Sequence, residues 1–573
     1  GNGTWTEVSA WNFPSGEWLT DFGTGITDLN GDGLPDTFKK FDSNPLVNWV
    51  KLNNTKKIDL LTYAKNNTGG SSSYAYTPSP QYRSGGVVAN PNLPFVLYTV
   101  SAIGSNDGLG AIGTTTYAYS GGDYYYNNPF DKKIAGFETI TKTDSEGNLT
   151  KSYFHQGNTS TTTLGEYSDH VSKIGKEFRM ENQNSSGSVY KTQIIKWENI
   201  ILANSGLQNE RNFVNQTRKT VIDNDGDADQ KTKAEMYSYS TTTGNLTQKV
   251  EWGEVTATST DGYFNDTGTD KLTTDFSYAS SVSSNVTART STETLNDQSN
   301  NKVAETKHYF DNLALGSIGK GNETKTEKWK FGGEYASTTK SYDGTYGLVV
   351  SETDGRGNQT QYTVDGLNLY PAMTTRPHSL VTEYLYNYAS GKVKQTTDPN
   401  GRVFQTVYDG LGRPATIKQP DIASPSTLVT KTAYTYTDNT VPISIRQTDY
   451  LNAATSTDLY SYFDGFNRLK QTRKTAETDY AVQDQTYNTR GLLASKSLPY
   501  LSSGSSYTSP SGTTALFTRY AYDPMARVLT VANAVGTTTT AYDDWKTTVT
   551  DPNGEVKRLY DDAFGNLARV DEI

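Results

Sequence analysis

Cysteine is absent from this 573-residue sequence, which removes disulfides, thiolate nucleophiles and thiolate metal sites together. Long apolar runs are missing too: no stretch of about 18 apolar residues occurs, so no membrane span is expected in this chain. Positive charge is not in excess. The 52 Lys and Arg stand against 62 Asp and Glu, a net charge of −10, which argues against nucleic acid or an anionic membrane as partner. No Gly-x-Ser-x-Gly elbow, phosphate loop, dinucleotide fingerprint or His-Glu-x-x-His is present. The four histidines, His155, His170, His308 and His378, lack metal-ligand spacing and read as ordinary polar residues. Apolar residues make up only 34%, yet 12% aromatics exceed what a non-folding chain carries, so the chain folds with modest burial. Length alone suggests about three to five folding units. The opening Gly1-Asn2-Gly3, with neither an initiator Met nor a leader, reads as the start of a fragment.

What the sequence does hold is period-2 patterning in Tyr, Thr and Val, which suits half-buried strands. Tyr-x-Tyr recurs at Tyr74/Tyr76, Tyr117/Tyr119, Tyr237/Tyr239, Tyr384/Tyr386/Tyr388, Tyr434/Tyr436, Tyr460/Tyr462 and Tyr520/Tyr522. In a strand each pair puts both rings on one face. Turn-forming clusters punctuate these segments: Gly121-Gly122-Asp123, Asp354-Gly355-Arg356-Gly357-Asn358, Asp398-Pro399-Asn400-Gly401 and Asp551-Pro552-Asn553-Gly554. The pattern predicts hairpin after hairpin and almost no helix.

An internal repeat lies in the last third. Thr397-Asp398-Pro399-Asn400-Gly401-Arg402-Val403, followed by Tyr408-Asp409 and Gly412-Arg413, is echoed by Thr550-Asp551-Pro552-Asn553-Gly554-Glu555-Val556, followed by Tyr560-Asp561 and Gly565-Asn566. Shorter copies occur at Tyr462 with Asp464, Asn467 and Arg468, and at Tyr522-Asp523 with Arg527, which has no glycine. Tyr ends a strand, Asp bonds the following amides, and Gly takes the φ > 0 position that reverses the chain. One hairpin cannot cover its own face, so stacked copies are needed. These residues resemble the YD repeats of the Rhs family, which includes bacterial Rhs proteins, the B and C components of Tc toxins, and teneurins.

Upstream, Leu93-Pro94-Phe95-Val96-Leu97, then Thr115-Thr116-Tyr117-Ala118-Tyr119, then Ile134-Ala135-Gly136-Phe137-Glu138 is similar to the middle region of Tc-toxin B components and SpvB-like proteins, where the order is a Leu-Pro-Phe strand, a Tyr-x-Tyr strand and an Arg-Gly-Phe strand, with Ala135 here in place of that Arg. The resemblance implies an all-β fold: a remnant of an FG-GAP/VCBS β-propeller, then a YD-repeat β-sheet spiralling into a hollow shell. The expected parts are a propeller portion at 1–62, a middle β region at 63–175, a hairpin-rich start of the shell at 176–350 and YD repeats at 351–573. The Ser, Gly and Pro-rich stretch 498–515 reads as an insertion between repeats.

Two acidic loops are candidate metal sites. Asp28-Leu29-Asn30-Gly31-Asp32-Gly33-Leu34-Pro35-Asp36 offers oxygens from Asp28, Asn30, Asp32 and Asp36, glycine at the sixth position, and the Leu34 carbonyl at the seventh. That spacing suits a structural calcium ion, and it resembles the loop joining two blade strands of an FG-GAP propeller. Asp223, Asp225, Asp227 and Asp229 form a second, weaker set, in which Ala228 stands where glycine is usual; an exposed hairpin turn is the other reading.

The resemblance implies a non-enzymatic shell of a secreted or surface-exposed bacterial protein. Its expected partners are its own C-terminal, toxin-like cargo or a companion toxin subunit, and a pore or translocation component at the propeller end. Any catalysis is expected in a further C-terminal segment. The alternative is an adhesive or structural surface protein, teneurin-like or filament-forming. A carbohydrate-active β-protein is a third reading, from aromatics and carboxylates alone.

Overall fold

The computed structural model describes residues 23–40, 49–53, 59–158, 162–166, 169–203, 210–281, 286–510 and 517–573. Strands dominate, and the helical segments among the described residues are single 3-10 turns, such as Ser79–Gln81 and Val171–Lys173. Thr24–Thr27, Asp36–Lys39 and Trp49–Lys51 form a separate three-stranded antiparallel sheet whose first connection is the Asp28–Asp36 loop. The rest of the expected propeller portion, 1–22, 41–48 and 54–58, lies outside the described residues.

From Tyr63–Lys65 to Leu567–Glu572 one antiparallel sheet of thirty-seven strands runs on, most strands pairing with their neighbours in sequence. The ladder passes residues 175 and 350 without a break in pairing. The sheet coils. Hairpin loops on the rim of its early strands touch hairpin loops 302 to 399 residues later, as in Arg527 with Asp225 and Asn66 with Gly465.

Burial is modest, as the composition demands. The accessible surface is 32330 Å², about 1.6 times the roughly 20,000 Å² of a compact globule of this mass. The best-packed region is the sheet from Glu177–Gln183 to Leu246–Ala257, where Phe178, Ile194 and Ile222 are fully buried. Residues 162–166 and 169–176 of the connecting segment and the turn at 258–262 roof it. Arg179 Nη1 donates to the carbonyl of Ser259 at 2.8 Å, Arg218 Nη2 to Asp261 at 2.8 Å and Thr220 Oγ1 to Gly262 at 2.8 Å.

The expected insertion is a second roof. Tyr500–Ser502 turns back to pair with Tyr480–Tyr487, and the carbonyls of Ser503 and Gly504 accept from Arg473. Arg473, Gln471 and Asp484 are thereby buried as a bonded polar cluster, with Gln471 Nε2 on Asp484 at 2.6 Å and the Tyr500 hydroxyl on Asp484 at 2.7 Å. Residues 511–515 of that stretch lie outside the described residues.

Two local expectations are corrected. Gly121-Gly122-Asp123 is no turn but the middle of strand Ile112–Asn128. Its glycines admit a crossing segment: Gly121 N donates to Ala89 O, Gly122 N to Asn90 Oδ1, and a Cβ on Gly122 would sit 2.6 Å from Leu93. Leu93–Leu97 is not a strand; pairing opens at Tyr98, since Pro94 has no N–H to give a ladder.

Candidate functional site

The repeated turn is the unit from which the rest is assembled. In Tyr408-Asp409-Gly410-Leu411-Gly412-Arg413, Asp409 N bonds Arg413 O and Gly412 N bonds Asp409 O. Asp409 Oδ1 accepts the N–H groups of Leu411 and Arg413, and Oδ2 accepts Arg413 Nε at 2.8 Å. The backbone N–H of Arg413 is the main reason the Asp409 carboxyl lies below its ordinary value. The same five-residue plan recurs at Asp144, Asn184, Asp354, Asp398, Asp464, Asn488, Asp523, Asp551 and Asp562. It is a turn closed by one residue at φ > 0, and the copies at Asn184, Asp409, Asp464, Asn488, Asp523 and Asp562 have a register shift beside it. That residue is Gly412 at 74°, but Asn467 at 61° and Ala526 at 64° in the copies without glycine.

Tyrosine before the turn has its own task. Antiparallel neighbours run in opposite directions, so the end of one strand lies beside the start of the strand before it. The hydroxyls of Tyr408, Tyr487 and Tyr522 donate there, to the carbonyls of Val393 (2.7 Å), Leu469 (3.0 Å) and Leu493 (2.7 Å). Tyr386, Tyr436 and Tyr542 do the same to Pro371, Pro414 and Val528. The turn arginine then stacks on the next such ring: Arg413 on Tyr436 at 3.9 Å, Arg468 on Tyr487 at 4.6 Å, Arg527 on Tyr542 at 4.2 Å.

Where the sheet passes beneath itself these turns become a seam. Gly465 N donates to Asp107 O at 2.7 Å, and Gly465 O accepts Asn66 Nδ2 and Thr68 Oγ1, both at 2.7 Å. Arg468 reaches Asp107 at 3.4 Å and Arg527 reaches Asp225 at 2.7 Å. Arg490 binds Asp144 at 3.0 Å and Glu146 at 3.3 Å. A cleft of ≈ 520 Å³ opens in this seam, walled in part by Lys142, Asp144, Arg468, Tyr487 and Arg490.

Two motif positions read from sequence fall elsewhere. In the last copy the capping carboxylate is Asp562, not Asp561: Phe564 N and Asn566 N donate to Asp562 Oδ1, and Gly565 has φ 80°. Asp561 therefore takes the place before the turn, and Tyr560 is turned to the opposite face. At Tyr462-Phe463-Asp464 it is Phe463 that precedes the turn, and the Tyr462 hydroxyl bonds Ser505 O of the insertion instead.

In the first acidic loop, Asp28 Oδ1 accepts Gly31 N and Asp32 N, and Oδ2 accepts Gly33 N. Asp32 accepts Leu34 N and Asn30 Nδ2, while buried Asp36 accepts Leu29 N and Asn53 N. Asn30 Oδ1 accepts Asp32 N. The second acidic set lies at the seam. Asp223 bonds Trp545 Nε1 at 3.2 Å, Asp225 pairs with Arg527, and Asp227 accepts Asp229 N. Burial, then Asp225, Asp543 and Asp227, push Asp544 up to about 6.

Among the described residues, one group of three metal-capable side chains has all its ligand atoms within 4.8 Å of one another: His155, Glu166 and Asp169. Neither acidic loop gathers three carboxylates that closely. His155 Nδ1 lies 3.2 Å from Asp169 Oδ1 and 3.5 Å from Glu166 Oε1. Burial pushes the imidazole down, and the two carboxylates outweigh it, so its pKa stands above the ordinary histidine value. Sequence reading missed this group because its members are spread along a connecting segment with no motif spacing.

Comparison with known proteins agrees with the geometry. Residues 15–167 match the family described as insecticide toxin TcdB middle/N-terminal region, and residues 386–421 match the RHS repeat. A search of curated proteins finds no match. Among solved structures, TcdB2-TccC3-TEV aligns over 96% of this chain with TM-score 0.79 at 13% identity, and TcdB2-TccC3-Cdc42 over 98% with TM-score 0.80 at 13% identity. The Photorhabdus luminescens Tc holotoxin pore aligns over 98% with TM-score 0.77 at 13% identity. At such identities the likeness is one of fold, and this chain spans 39%, 40% and 39% of those chains. Residues 15–167 thus resemble the TcdB toxin middle regions and 386–421 the Rhs repeats, on an all-β fold like that of the TcdB2 structures.

Proposed function

We propose that this chain is part of the wall of a non-enzymatic β-shell, in a secreted or surface-exposed protein, that encloses or presents a companion polypeptide. The observation that carries this reading is the seam: a single sheet that bonds to itself 302 to 399 residues on is a coiled wall, not a stack of separate sandwiches. The excess accessible surface supports it, since a wall has two faces. The TcdB2 structures contain TccC3, and one relative is a Tc holotoxin pore; by analogy the partners here are a toxin-like cargo or companion subunit and a pore component. Density and cross-linking inside the full-length protein test this. A protease-protected polypeptide within the coil is expected. An interior filled by the wall's own side chains, or self-association through edge strands without cargo, would favour a structural or adhesive role.

Calcium at Asp28–Asp36 is a further part of the proposal, with that sheet as a propeller remnant. Asp28 Oδ2 and the oxygens of Asp32 and Asp36 each accept a single N–H, which leaves each a lone pair for a cation, and the Leu34 carbonyl is the further ligand expected from the loop spacing. Chelation is expected to lower the melting temperature and calcium to restore it; an unchanged melt retires the ion.

A further inference from the structure

We propose that His155, Glu166 and Asp169 bind one zinc ion, which fastens Glu166 and Asp169 to the end of the strand at His155. Ligands about 2.0–2.1 Å from a tetrahedral zinc stand roughly 3.4 Å from one another. The His155 nitrogen meets its two carboxylate oxygens at 3.2 and 3.5 Å. For a hydrogen bond these contacts are poorly placed: His155 Nδ1 is buried and makes none. An imidazole nitrogen 1% exposed whose carboxylate neighbours stand off the hydrogen-bond direction is held less well than one whose lone pair is taken up by a metal.

The surroundings hold the three groups in place. Asp169 Oδ2 accepts Gln156 N at 3.0 Å and Gly157 N at 2.7 Å, and Oδ1 accepts His170 N at 2.6 Å. Such outer partners orient a metal-ligating carboxylate. The His155 ring lies 5.1 Å from the Phe178 ring, and its backbone is tied to Gly175 and Lys176 at both N–H and C=O. One nitrogen and two carboxylate oxygens from side chains this deeply buried suit zinc, with a fourth position left for water. Calcium needs six to eight oxygens, more than the three side chains of this group supply.

Strand Leu149–Phe154 ends one residue before His155, and the next strand begins at Glu177. An ion here would hold Glu166 and Asp169 beside the best-packed part of the sheet. Lys173, also buried, acts electrostatically on Asp169 and Glu166. With His155 protonated, those four groups are neutral without metal, and the experiment sets that arrangement against the ion.

The chain, prepared without a histidine tag, is assayed for bound metal, then stripped and titrated with cobalt(II) and with zinc. One ion per chain, visible d–d bands of four-coordinate cobalt and a higher melting temperature with zinc are expected. Asp169→Asn and His155→Ala should weaken binding by more than the roughly 10–100-fold that loss of an outer partner costs. Glu383→Gln, at an exposed carboxylate far along the chain, should leave the cobalt spectrum unchanged. A folded wild-type chain with no stoichiometric metal, no cobalt bands and a melt indifferent to zinc would overturn the proposal, and so would zinc binding that survives both site substitutions. If either variant fails to fold, the wild-type spectrum and melt decide alone.

Discussion

At the scale of single residues, the hydroxyl explains why tyrosine recurs before the turn where phenylalanine would pack as well. Each ring covers the strand beside it, and each hydroxyl closes a bond to the carbonyl that opens the preceding strand. Tyr408→Phe, Tyr487→Phe and Tyr522→Phe each keep the ring and lose the bond. Each should cost about 1 kcal/mol in denaturant unfolding; Phe463, which already lacks the hydroxyl, marks a copy that folds without it. A second residue-scale effect is electrostatic. Burial alone would raise Glu305, but Lys302, Tyr335 and Lys307 overrule it and bring it from 4.5 down to about 2. A depressed carboxyl contributes stability that is full above its unfolded value and lost as pH falls through the folded one. The melting temperature of wild type should therefore exceed that of Glu305→Gln at neutral pH, with the gap closing towards about pH 2. A constant gap would show that the ion pairs with Lys302 and Lys307 are not its source.

At the scale of the turn, equal sequence does not mean equal constraint. Gly410 and Gly465 both follow the capping Asp. A Cβ on Gly410 would meet nothing within 4 Å, whereas on Gly465 it would lie 2.1 Å from Gly70 N and 2.4 Å from its Cα. Gly465→Ala should destabilise by roughly 1–3 kcal/mol, as overpacking does, and Gly410→Ala should be neutral or slightly stabilising. Equal melts for the two would mean that the seam yields without cost. The same contrast defines what was legible. The Tyr-Asp turn could be read because all its bonds lie within five residues, and its continuation into Arg413 or Arg527 falls in the same window. The choice between Asp561 and Asp562 could not, since adjacent acids offer two registers one residue apart. Gly121 and Gly122 misled because glycine serves close approach as readily as reversal, and only the crossing segment at 89–93 distinguishes the two. The acidic loops were visible as donor sets, but the placement of Asp225 against Arg527 depends on chain 302 residues away. His155 has no local pattern at all.

At the scale of the whole molecule, the coil stands or falls on contacts that no strand ladder supplies. Arg490 is the residue most concentrated on them: it pairs with Asp144 and Glu146 of the upper rim and donates to the carbonyls of Asp523 (2.8 Å) and Pro524 (2.9 Å) on its own. Asp144 keeps its own turn when Arg490 is removed, because its carboxylate also caps Glu146 N and Asn148 N. Arg490→Ala should therefore open the seam without melting either hairpin, at a cost of about 2 kcal/mol for lost charged hydrogen bonds. Hydrogen exchange reads this directly, because local opening exposes only the amides it frees. Exchange should quicken in 107–111, 144–148 and 488–492 while the central strands stay protected. Arg413→Ala, whose guanidinium pairs with Asp409 and Asp438, should leave those rim segments as they were. Uniform acceleration across the sheet would mean that the coil and the ladder unfold together, and quiet rims in Arg490→Ala would mean that the wall holds its curvature without the seam.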